Sequence, residues 1–322
     1  MVIYCRANTG VGAAHVIPVK RSPATSERAG LSRRRAKLLP MKQAELHPDD
    51  RPFRHYSFSH RCVAWISENV FGGVTYTVRR GLLKGLKRRG GLAWLPERAG
   101  EAATPELAFW RERNFAGLTV YDVGAFHGLL TLHFARTARQ VVAYEPNARN
   151  HARLAENLRL NGVTNVTVRK TGVGARAETL TMVSSNLMPG GATVDRDAAA
   201  GVRRAGGDVK VEEIPIVPLD EDIARHSLPA PDFVKIDVEG EELAVLRGAQ
   251  DTLRRHQPSL FLEMHGETMN LKRRNVAALV DCLCDLGYAE IVHVESGARI
   301  GQENAAAAAE GHLFCPGSQP GR

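Results

Sequence analysis

The sequence predicts an α/β fold built on a doubly wound, mostly parallel sheet. From about residue 117 onward, short β-branched runs alternate with segments of helical periodicity. This alternation is typical of parallel strands joined by crossover helices. The length of 322 residues is sufficient for a full hydrophobic core. The five cysteines are scattered and form no disulfide framework of the kind found in small secreted domains, which favours a reducing compartment.

Composition divides the chain into three segments. Residues 1–60 form a basic tail without sustained periodicity, for which we expect disorder. Residues 61–116 are more apolar and predict a helical lead-in, while residues 117–316 form the main domain. The first 91 residues hold 18 of the 43 lysines and arginines but only 5 of the 35 acidic residues. The rest of the chain is therefore mildly acidic, and we expect no nucleic-acid partner for it.

The hydropathy pattern gives no sign of a membrane segment. No apolar run reaches about 18 residues, the length that a transmembrane helix needs. The first residues lack the uninterrupted apolar stretch of a signal peptide. We therefore expect a cytoplasmic protein without a membrane span.

The elements of the main domain follow from local patterns. The predicted strands are residues 118–122, 140–145, 165–169, 232–237, 259–263 and 290–294. Asn147 can cap a helix that ends at Asn161-Gly162. A second helix ends before Pro258, and a third contains apolar residues at helical spacing from Val276 to Leu283. Residues 178–217 predict an insertion with two more strands, 179–183 and 211–217, around a Gly/Ala/Asp-rich loop.

The first strand ends in a glycine turn. Asp122 precedes Gly124, and Gly128 follows in the spacing G-x-x-x-G. Glycine permits a tight turn and a close approach of a ligand to the backbone. The spacing is not the G-x-G-x-x-G of nicotinamide and flavin enzymes, so a diphosphate site is not supported. A carboxylate directly before the turn fits a cationic ligand better than a diphosphate.

The second and third strand ends complete the pattern of a nucleoside site. Glu145 follows Gly124 by 21 residues, a distance at which an acid can accept hydrogen bonds from ribose hydroxyls. Thr171-Gly-Val-Gly174 follows the third strand, where adenine would lie. An adenosine with a cationic, non-phosphate group matches S-adenosylmethionine (SAM). The predicted cofactor-binding residues are Asp122, Gly124, Gly128, Glu145, Pro146, Asn147, Gly172 and Val173.

Several motifs resemble the FkbM family of SAM-dependent methyltransferases. The resemblance covers residues 105–316 and rests on VYDVGAFHG at 120–128, YEPN at 144–147, PLDE at 218–221, PDFVKIDVEG at 231–240, LRGA at 246–249 and EMH at 263–265. It implies a class I methyltransferase fold and favours O-methylation of a small metabolite or sugar. Residues 1–100 lie outside it.

Acidic and basic candidates for catalysis follow the fourth and fifth strands. Asp237 and Glu239 stand two residues apart at a strand end and could bind substrate hydroxyls. His265 could act as a general base near neutral pH, with Asp237 as the second candidate. Glu241 and Glu242 are expected to serve only the N-terminus of the next helix.

Other readings remain open from the residues alone. We expect no metal, although Asp237, Glu239 and Glu263 could hold a divalent ion, as in some O-methyltransferases. Nothing in the spacing separates oxygen from nitrogen as the acceptor. A nucleic-acid methyltransferase and a non-catalytic binding protein on the same fold are the further alternatives, and a nicotinamide oxidoreductase is disfavoured by the missing glycine motif.

Overall fold

A computed structural model describes residues 72–90, 104–185, 188–193, 209–266 and 268–317. Within these ranges the strands are β1 (Thr75–Thr77), β2 (Lys87–Arg89), β3 (Thr119–Val123), β4 (Gln140–Tyr144), β5 (Val166–Arg169), β6 (Gly172–Val173), β7 (Glu178–Ser185), β8 (Met188–Thr193), β9 (Val209–Val217), β10 (Phe233–Ile236), β11 (Ser259–Glu263), β12 (Val292–His293) and β13 (His312–Cys315). The helices are α1 (Pro105–Glu112), α2 (Leu129–Ala135), α3 (Ala148–Leu160), α4 (Leu219–His226), α5 (Glu242–Gly248), α6 (Gln250–His256) and α7 (Met269–Asp285), with a 3-10 turn at Ala305–Ala308.

Seven strands form the central sheet in the order β12-β13-β11-β10-β3-β4-β5. Strands β4, β3, β10 and β11 are mutually parallel neighbours, and β13 joins β11 in the antiparallel sense. The order reverses between β3 and β10, so this sheet is doubly wound, with its ligand crevice expected at the carboxyl ends of these strands. The predicted fold class is confirmed by this topology.

Helices cover both faces of the central strands. All five residues of β3 are buried. Val120 packs on one side with Trp110, Phe134 and Phe261, and Tyr121 packs on the other in the large core cluster that includes helix α7. Burial on both faces explains why the parallel strands read as nearly continuous β-branched runs rather than as an alternating pattern.

The insertion forms a second sheet. Strands β6, β9, β7 and β8 make a four-stranded sheet in which β9 and β7 pair antiparallel over eight residue pairs. The two strands expected at 179–183 and 211–217 are present and longer than predicted. The loop expected between them, at 184–210, was only partly correct, because it contains strand β8 at Met188–Thr193. Residues 194–208 lie outside the described ranges.

The lead-in differs from its prediction. Where a helical segment was expected, residues 72–90 contain strands β1 and β2 paired as an antiparallel hairpin, and helix α1 covers Pro105–Glu112. Residues 61–71 and 91–103 lie outside the described ranges. The physical reason is local: β-branched and aromatic residues at 74–78 favour extended backbone, and Gly81 and Gly85 adopt positive φ angles of 75° and 90°. The basic tail at 1–60 lies outside the described residues.

The hairpin contacts helix α3 through side-chain amides. Asn161 Oδ1 accepts from the Lys87 N–H at 2.7 Å, and Asn157 Oδ1 accepts from the Arg89 N–H at 2.9 Å. Asn157 is fully buried, and its Nδ2 donates to His127 O at 2.9 Å. The same amide therefore joins the hairpin to the turn after β3.

Two features of the carboxyl-terminal half were not predicted. The helix expected to end before Pro258 is divided at Ala249 into α5 and α6. Strand β13 was not foreseen, because it is defined by its pairing with β11 rather than by a local pattern. Among the described residues, no helix is long and apolar enough to cross a membrane.

Candidate active site

The glycine turn after β3 has little room for any other residue. Gly124 has φ 85°, and a Cβ there would lie 1.8 Å from Asp237 O. The N–H groups of Gly124 and Ala125 both donate to Tyr144 O, at 3.1 and 3.0 Å. Gly128 begins helix α2 with φ 79°, and a Cβ there would meet Leu154 Cδ1 at 2.3 Å. The turn thus binds β3 tightly to both neighbouring strands.

Glu145 directly follows β4 and is fully buried. Its Oε2 accepts from the Phe126 N–H at 2.8 Å, and its Oε1 accepts from the Asn147 N–H at 2.9 Å. Asn150 Nδ2 approaches Oε1 at 3.4 Å. Burial raises the pKa of Glu145 to about 7, although these donors favour its ionised form. The carboxylate therefore reaches the glycine turn, and its role in ribose binding stays a prediction.

Asn147 forms the helix cap that the sequence predicted. Its side chain caps helix α3 by accepting from the Arg149 and Asn150 N–H groups, both at 3.0 Å. Pro146, between Glu145 and Asn147, is buried. The predicted cap is therefore present, and it fixes the chain that carries Glu145.

Asp122 faces an internal cation. It is 1% exposed, accepts from Thr131 Oγ1 at 2.5 Å and lies 3.3 Å from Lys235 Nζ. Lys235 also donates to Gly124 O at 2.9 Å and pairs with Asp237 Oδ2 at 3.1 Å. The positive charge expected opposite Asp122 is therefore supplied by the protein itself.

Gly172 and Val173 form strand β6, which pairs with β9. Val173 is 1% exposed, and its side chain belongs to the large core cluster. Only backbone atoms of this pair are thus available for a ligand.

His127, in the glycine turn, stacks on Phe126 with ring centroids 3.8 Å apart. Burial lowers the pKa of His127 to about 3, so this imidazole is neutral.

Asp237, Glu239 and His265 come together as predicted, and we call these three residues the carboxylate–histidine cluster. Candidate ligand atoms from the three lie within 4.8 Å of one another. His265 Nε2 is 3.7 Å from both Asp237 Oδ1 and Glu239 Oε1. Glu239 is 3% exposed and adopts a left-handed backbone with φ 58°. Non-glycine residues in that region are uncommon and concentrate at functional sites.

Glu242 has a larger role than helix capping. It is 1% exposed, accepts from the Gly240 N–H at 3.0 Å and holds His265 Nδ1 at 2.8 Å. Burial alone would lower the pKa of His265, but the carboxylates of Glu242, Glu263 and Glu239 raise it well above its usual range. The expectation that Glu242 serves only its helix is corrected by this contact.

Sequence reasoning assigned no role to Lys235 and missed the contact of Glu242 with His265. A signal for Lys235 was present: a lysine inside the apolar run Phe-Val-Lys-Ile is almost never fully buried unless it is paired. Burial opposes the charge of Lys235, yet Asp237 and Asp122 keep its pKa above the usual range. In turn, Lys235 and then His265 outweigh burial and hold the pKa of Asp237 below its usual range.

Comparisons with known proteins agree with this architecture. The family model "Methyltransferase FkbM domain" matches residues 122–289, just over half of the chain. The chain is 28% identical over 157 residues to "Methyltransferase sdnD" of Sordaria araneosa, covering 41% of this chain and 60% of that protein. It is 26% identical over 149 residues to "Methyltransferase 1" of Beauveria bassiana, covering 41% and 58%. The chain thus spans about three-fifths of the length of these curated relatives.

Two solved structures are similar at a lower level. A methyltransferase FkbM from Methylobacillus flagellatus is 21% identical with a TM-score of 0.41, covering 66% of this chain and 50% of that one. Precorrin-6y C5,15-methyltransferase from Geobacter metallireducens is 16% identical with a TM-score of 0.35, covering 61% and 81%. The family match contains the glycine turn, Glu145 and the carboxylate–histidine cluster. The chain belongs to the FkbM methyltransferase family.

Proposed function

We propose that this protein transfers a methyl group from SAM to a hydroxyl oxygen of a small metabolite or sugar. One juxtaposition carries the proposal. Strands β4, β3, β10 and β11 are consecutive neighbours in the sheet. Glu145, the glycine turn and the carboxylate–histidine cluster therefore follow the carboxyl ends of adjacent strands, where ligands bind in doubly wound folds.

The cofactor side of the site fits a cationic nucleoside. Glu145 would accept from the ribose hydroxyls, backbone atoms of the Gly124–Gly128 turn would contact the ligand, and the backbone of Gly172 and Val173 would line the adenine. The buried cation at this turn, Lys235, is held by Asp122, Asp237 and Gly124 O, which leaves it unsuited to a phosphate. Bound SAM would supply an electrophilic methyl group on a positively charged sulfur.

Ribose binding requires a rearrangement of the partners of Glu145. The carboxylate already accepts from the Phe126 and Asn147 N–H groups. Phe126 has φ 51°, an unfavourable value for a residue with a side chain. We therefore place the adjustment at the Phe126–His127 peptide, while Asn147 and helix α3 keep Glu145 in position.

On the acceptor side, the carboxylate–histidine cluster would bind the hydroxyl that receives the methyl group. The raised pKa of His265 means that it holds a proton near neutral pH and cannot take a second one. The low pKa of Asp237 makes its carboxylate a weak base. These groups are thus better suited to orient an acceptor and stabilise its charge than to remove its proton unaided.

The choice of a hydroxyl acceptor rests on this oxygen-rich, acidic cluster and on the family. Carboxylates accept hydrogen bonds from hydroxyl groups of metabolites and sugars. A cytoplasmic location, inferred from the few scattered cysteines, is part of the same proposal. The acceptor itself is a small molecule or carbohydrate rather than a nucleic acid, since the net positive charge lies before residue 92 and the rest of the chain is mildly acidic.

Calorimetry with S-adenosylhomocysteine and a transfer assay with methyl-labelled SAM test the function. We expect micromolar-range binding, about −8 kcal/mol, and no binding of NADH. Label should move to a hydroxyl compound in a panel of glycosides and polyketide-like alcohols. Absence of S-adenosylhomocysteine binding by folded protein would overturn the proposal, and label found on an amine would exclude the oxygen assignment.

A further inference from the structure

The carboxylate–histidine cluster contains buried ligand atoms that the protein leaves without hydrogen bonds. His265 is 9% exposed, and its Nε2 makes no hydrogen bond of good geometry among the described residues, although the carboxylates of Glu263, Asp237 and Glu239 approach it at 3.4, 3.7 and 3.7 Å. The same holds for Asp237 Oδ1, which lies 3.7 Å from that nitrogen. Buried polar atoms without partners are rare in native proteins and call for an explanation such as a bound ion.

The distances fit a single cation. Two ligand atoms that each lie about 2.1 Å from one ion can be at most about 4.2 Å apart. His265 Nε2 is 3.7 Å from Asp237 Oδ1 and 3.7 Å from Glu239 Oε1. Both pairs lie inside that limit, and the ligand atoms of all three residues lie within 4.8 Å of one another. A small rotation that brings the two carboxylates closer together would therefore let one ion contact all three side chains.

The other atoms of these side chains are held by neighbours, as is typical of metal ligands. His265 Nδ1 is fixed by Glu242 Oε1 at 2.8 Å, the carboxylate–histidine arrangement that orients an imidazole toward a metal. Asp237 Oδ2 is held by Lys235 Nζ at 3.1 Å. Asn275 Nδ2 donates to His265 O at 3.0 Å and fixes the backbone of the third ligand.

Charge also favours a cation over an imidazolium alone. The ion pairs of Lys235 and His265 bring together five carboxylates and two groups that can be positively charged. The carboxylates are Asp122, Asp237, Glu239, Glu242 and Glu263, and the two possible cations are Lys235 and His265. Even with His265 protonated, the acids remain in excess. Buried carboxylates are stable only when paired or bound to metal.

We propose that Asp237, Glu239 and His265 bind one divalent cation with octahedral preference, such as Mg²⁺ or Mn²⁺, through Oδ1, Oε1 and Nε2. Resting on the proposed function, we further propose that the acceptor hydroxyl coordinates the same ion. His265 is then a metal ligand, with the ion in place of its Nε2 proton, rather than the general base that the sequence suggested. Glu263, which is 35% exposed and 3.4 Å from His265 Nε2, lies beside the ion rather than among its ligands.

Coordination gives the transfer a balanced proton path. A bound cation lowers the pKa of a coordinated hydroxyl. The O–H bond of the acceptor breaks, and its proton passes to the Glu263 carboxylate and then to solvent. The acceptor oxygen forms the new O–C bond while the C–S bond breaks and leaves its electron pair on sulfur. No oxidant or further co-reactant is needed.

Mn²⁺ alone is the probe for the site. In the full chain, titration followed by electron paramagnetic resonance should show one bound Mn²⁺ per chain. Glu239→Gln and His265→Gln should each weaken binding at least tenfold, and Glu242→Gln should weaken it about 10- to 100-fold through loss of orientation. His256→Gln, on helix α6, is the matched control and should bind Mn²⁺ as the wild type does. Equal binding by wild type and His265→Gln would overturn the site.

A second measurement needs no variant. Electron spin echo modulation from a ¹⁴N nucleus should appear in the wild-type Mn²⁺ complex, because an imidazole nitrogen is a ligand. Binding without that modulation would overturn the assignment of His265. S-adenosylhomocysteine titrations on the same samples separate the two hypotheses: cofactor binding without Mn²⁺ binding refutes the metal site, whereas Mn²⁺ binding without cofactor binding refutes the proposed function. Label transfer unchanged by a chelator would refute coordination of the acceptor.

Discussion

Lys235 and Asp122 are register partners on neighbouring parallel strands, and Lys235 Nζ lies 3.3 Å from Asp122 Oδ1. Their side chains are 5% and 1% exposed, so each charge depends on the other. The same ammonium pairs with Asp237 at the strand end. One buried lysine thus links the glycine turn to the carboxylate–histidine cluster.

We expect Lys235→Met to destabilise the protein by about 3–5 kcal/mol, because it leaves the buried Asp122 and the partly buried Asp237 without their shared cation. Urea unfolding monitored by circular dichroism measures this loss. Lys235→Met combined with Asp122→Asn should lose less than the sum of the single variants, since they share one interaction. Strict additivity would show that the two side chains do not interact.

Replacing Gly124 with alanine should cost more than 3 kcal/mol, roughly the level of severe backbone and packing clashes. Its Cβ would lie 1.8 Å from Asp237 O, a backbone atom that cannot move freely. Gly162→Ala is the matched control, because Gly162 also has a positive φ, of 63°, but nothing lies within 4 Å. That control should lose only about 1 kcal/mol. Similar unfolding midpoints for both variants would contradict this account.

Glu145→Ala should weaken S-adenosylhomocysteine binding by about 1–3 kcal/mol through loss of charge-assisted hydrogen bonds. The exposed Glu221→Ala, on helix α4, serves as control and should leave the affinity unchanged. Isothermal titration provides the comparison. Wild-type affinity in Glu145→Ala would refute the ribose assignment.

The raised pKa of Glu145, about 7, predicts a pH dependence of cofactor affinity. Ribose hydroxyls donate to the carboxylate, so protonation below pH 7 should weaken binding by up to about tenfold per pH unit. Glu145→Gln should bind with an affinity independent of pH in this range. The effect on folding stability has the opposite sign. Because the pKa of Glu145 in the folded protein exceeds the usual value of 4.5, its stabilising contribution is present at low pH and is lost as pH rises through 7. A wild-type binding profile that is flat from pH 5.5 to 8 would exclude Glu145 as the titrating group.

His265→Ala should leave S-adenosylhomocysteine affinity within about twofold, because β11 is separated from β4 by two strands. The same variant should lower kcat by at least about 10²-fold, the scale of losing a group that prepares the acceptor for transfer. Glu239→Ala, which removes another proposed ligand of the ion that coordinates the acceptor, should lower kcat as well and raise the acceptor KM. Steady-state kinetics with an identified acceptor decide both points, and an unchanged kcat in His265→Ala would remove that residue from the reaction.

The sheet could be predicted because each strand carries its own signals. Five of the six strands expected for it, such as Ser259–Glu263, lie within about one residue of their predicted bounds, since β-branched runs end at polar or glycine residues. The hairpin and β13 depend on pairing between distant segments, which no local pattern specifies. The split at Ala249 directly follows Gly248, which packs so closely on Gly174 that an added Cβ would lie 2.0 Å from Gly174 O. The glycine is visible in the sequence, but the contact that requires it is with a distant segment.

The candidate site was also predicted in part: the positions of its residues follow from the strand ends, whereas their contacts do not. Strand ends identified Glu145, Asp237 and His265, because topology alone brings those positions to one edge. The partner of each side chain could not be predicted. Asp122 contacts Lys235 because of the register between their strands, and Glu242 contacts His265 because of the path of helix α5. Contacts between residues more than 20 positions apart in sequence decide these roles.

The Asn157 side-chain amide accepts a hydrogen bond from Arg89 and donates one to His127, so local opening of the hairpin and of the turn after β3 should be coupled. The amide is planar and rigid, so it cannot rotate toward one partner without breaking its hydrogen bond to the other. A displacement of the turn when a nucleoside enters is therefore transmitted to the hairpin as a change in its protection. Arg89 is distant in sequence from every residue expected to bind the cofactor. The hydrogen exchange rate of its N–H should nevertheless change when the cofactor binds, and so report on the turn.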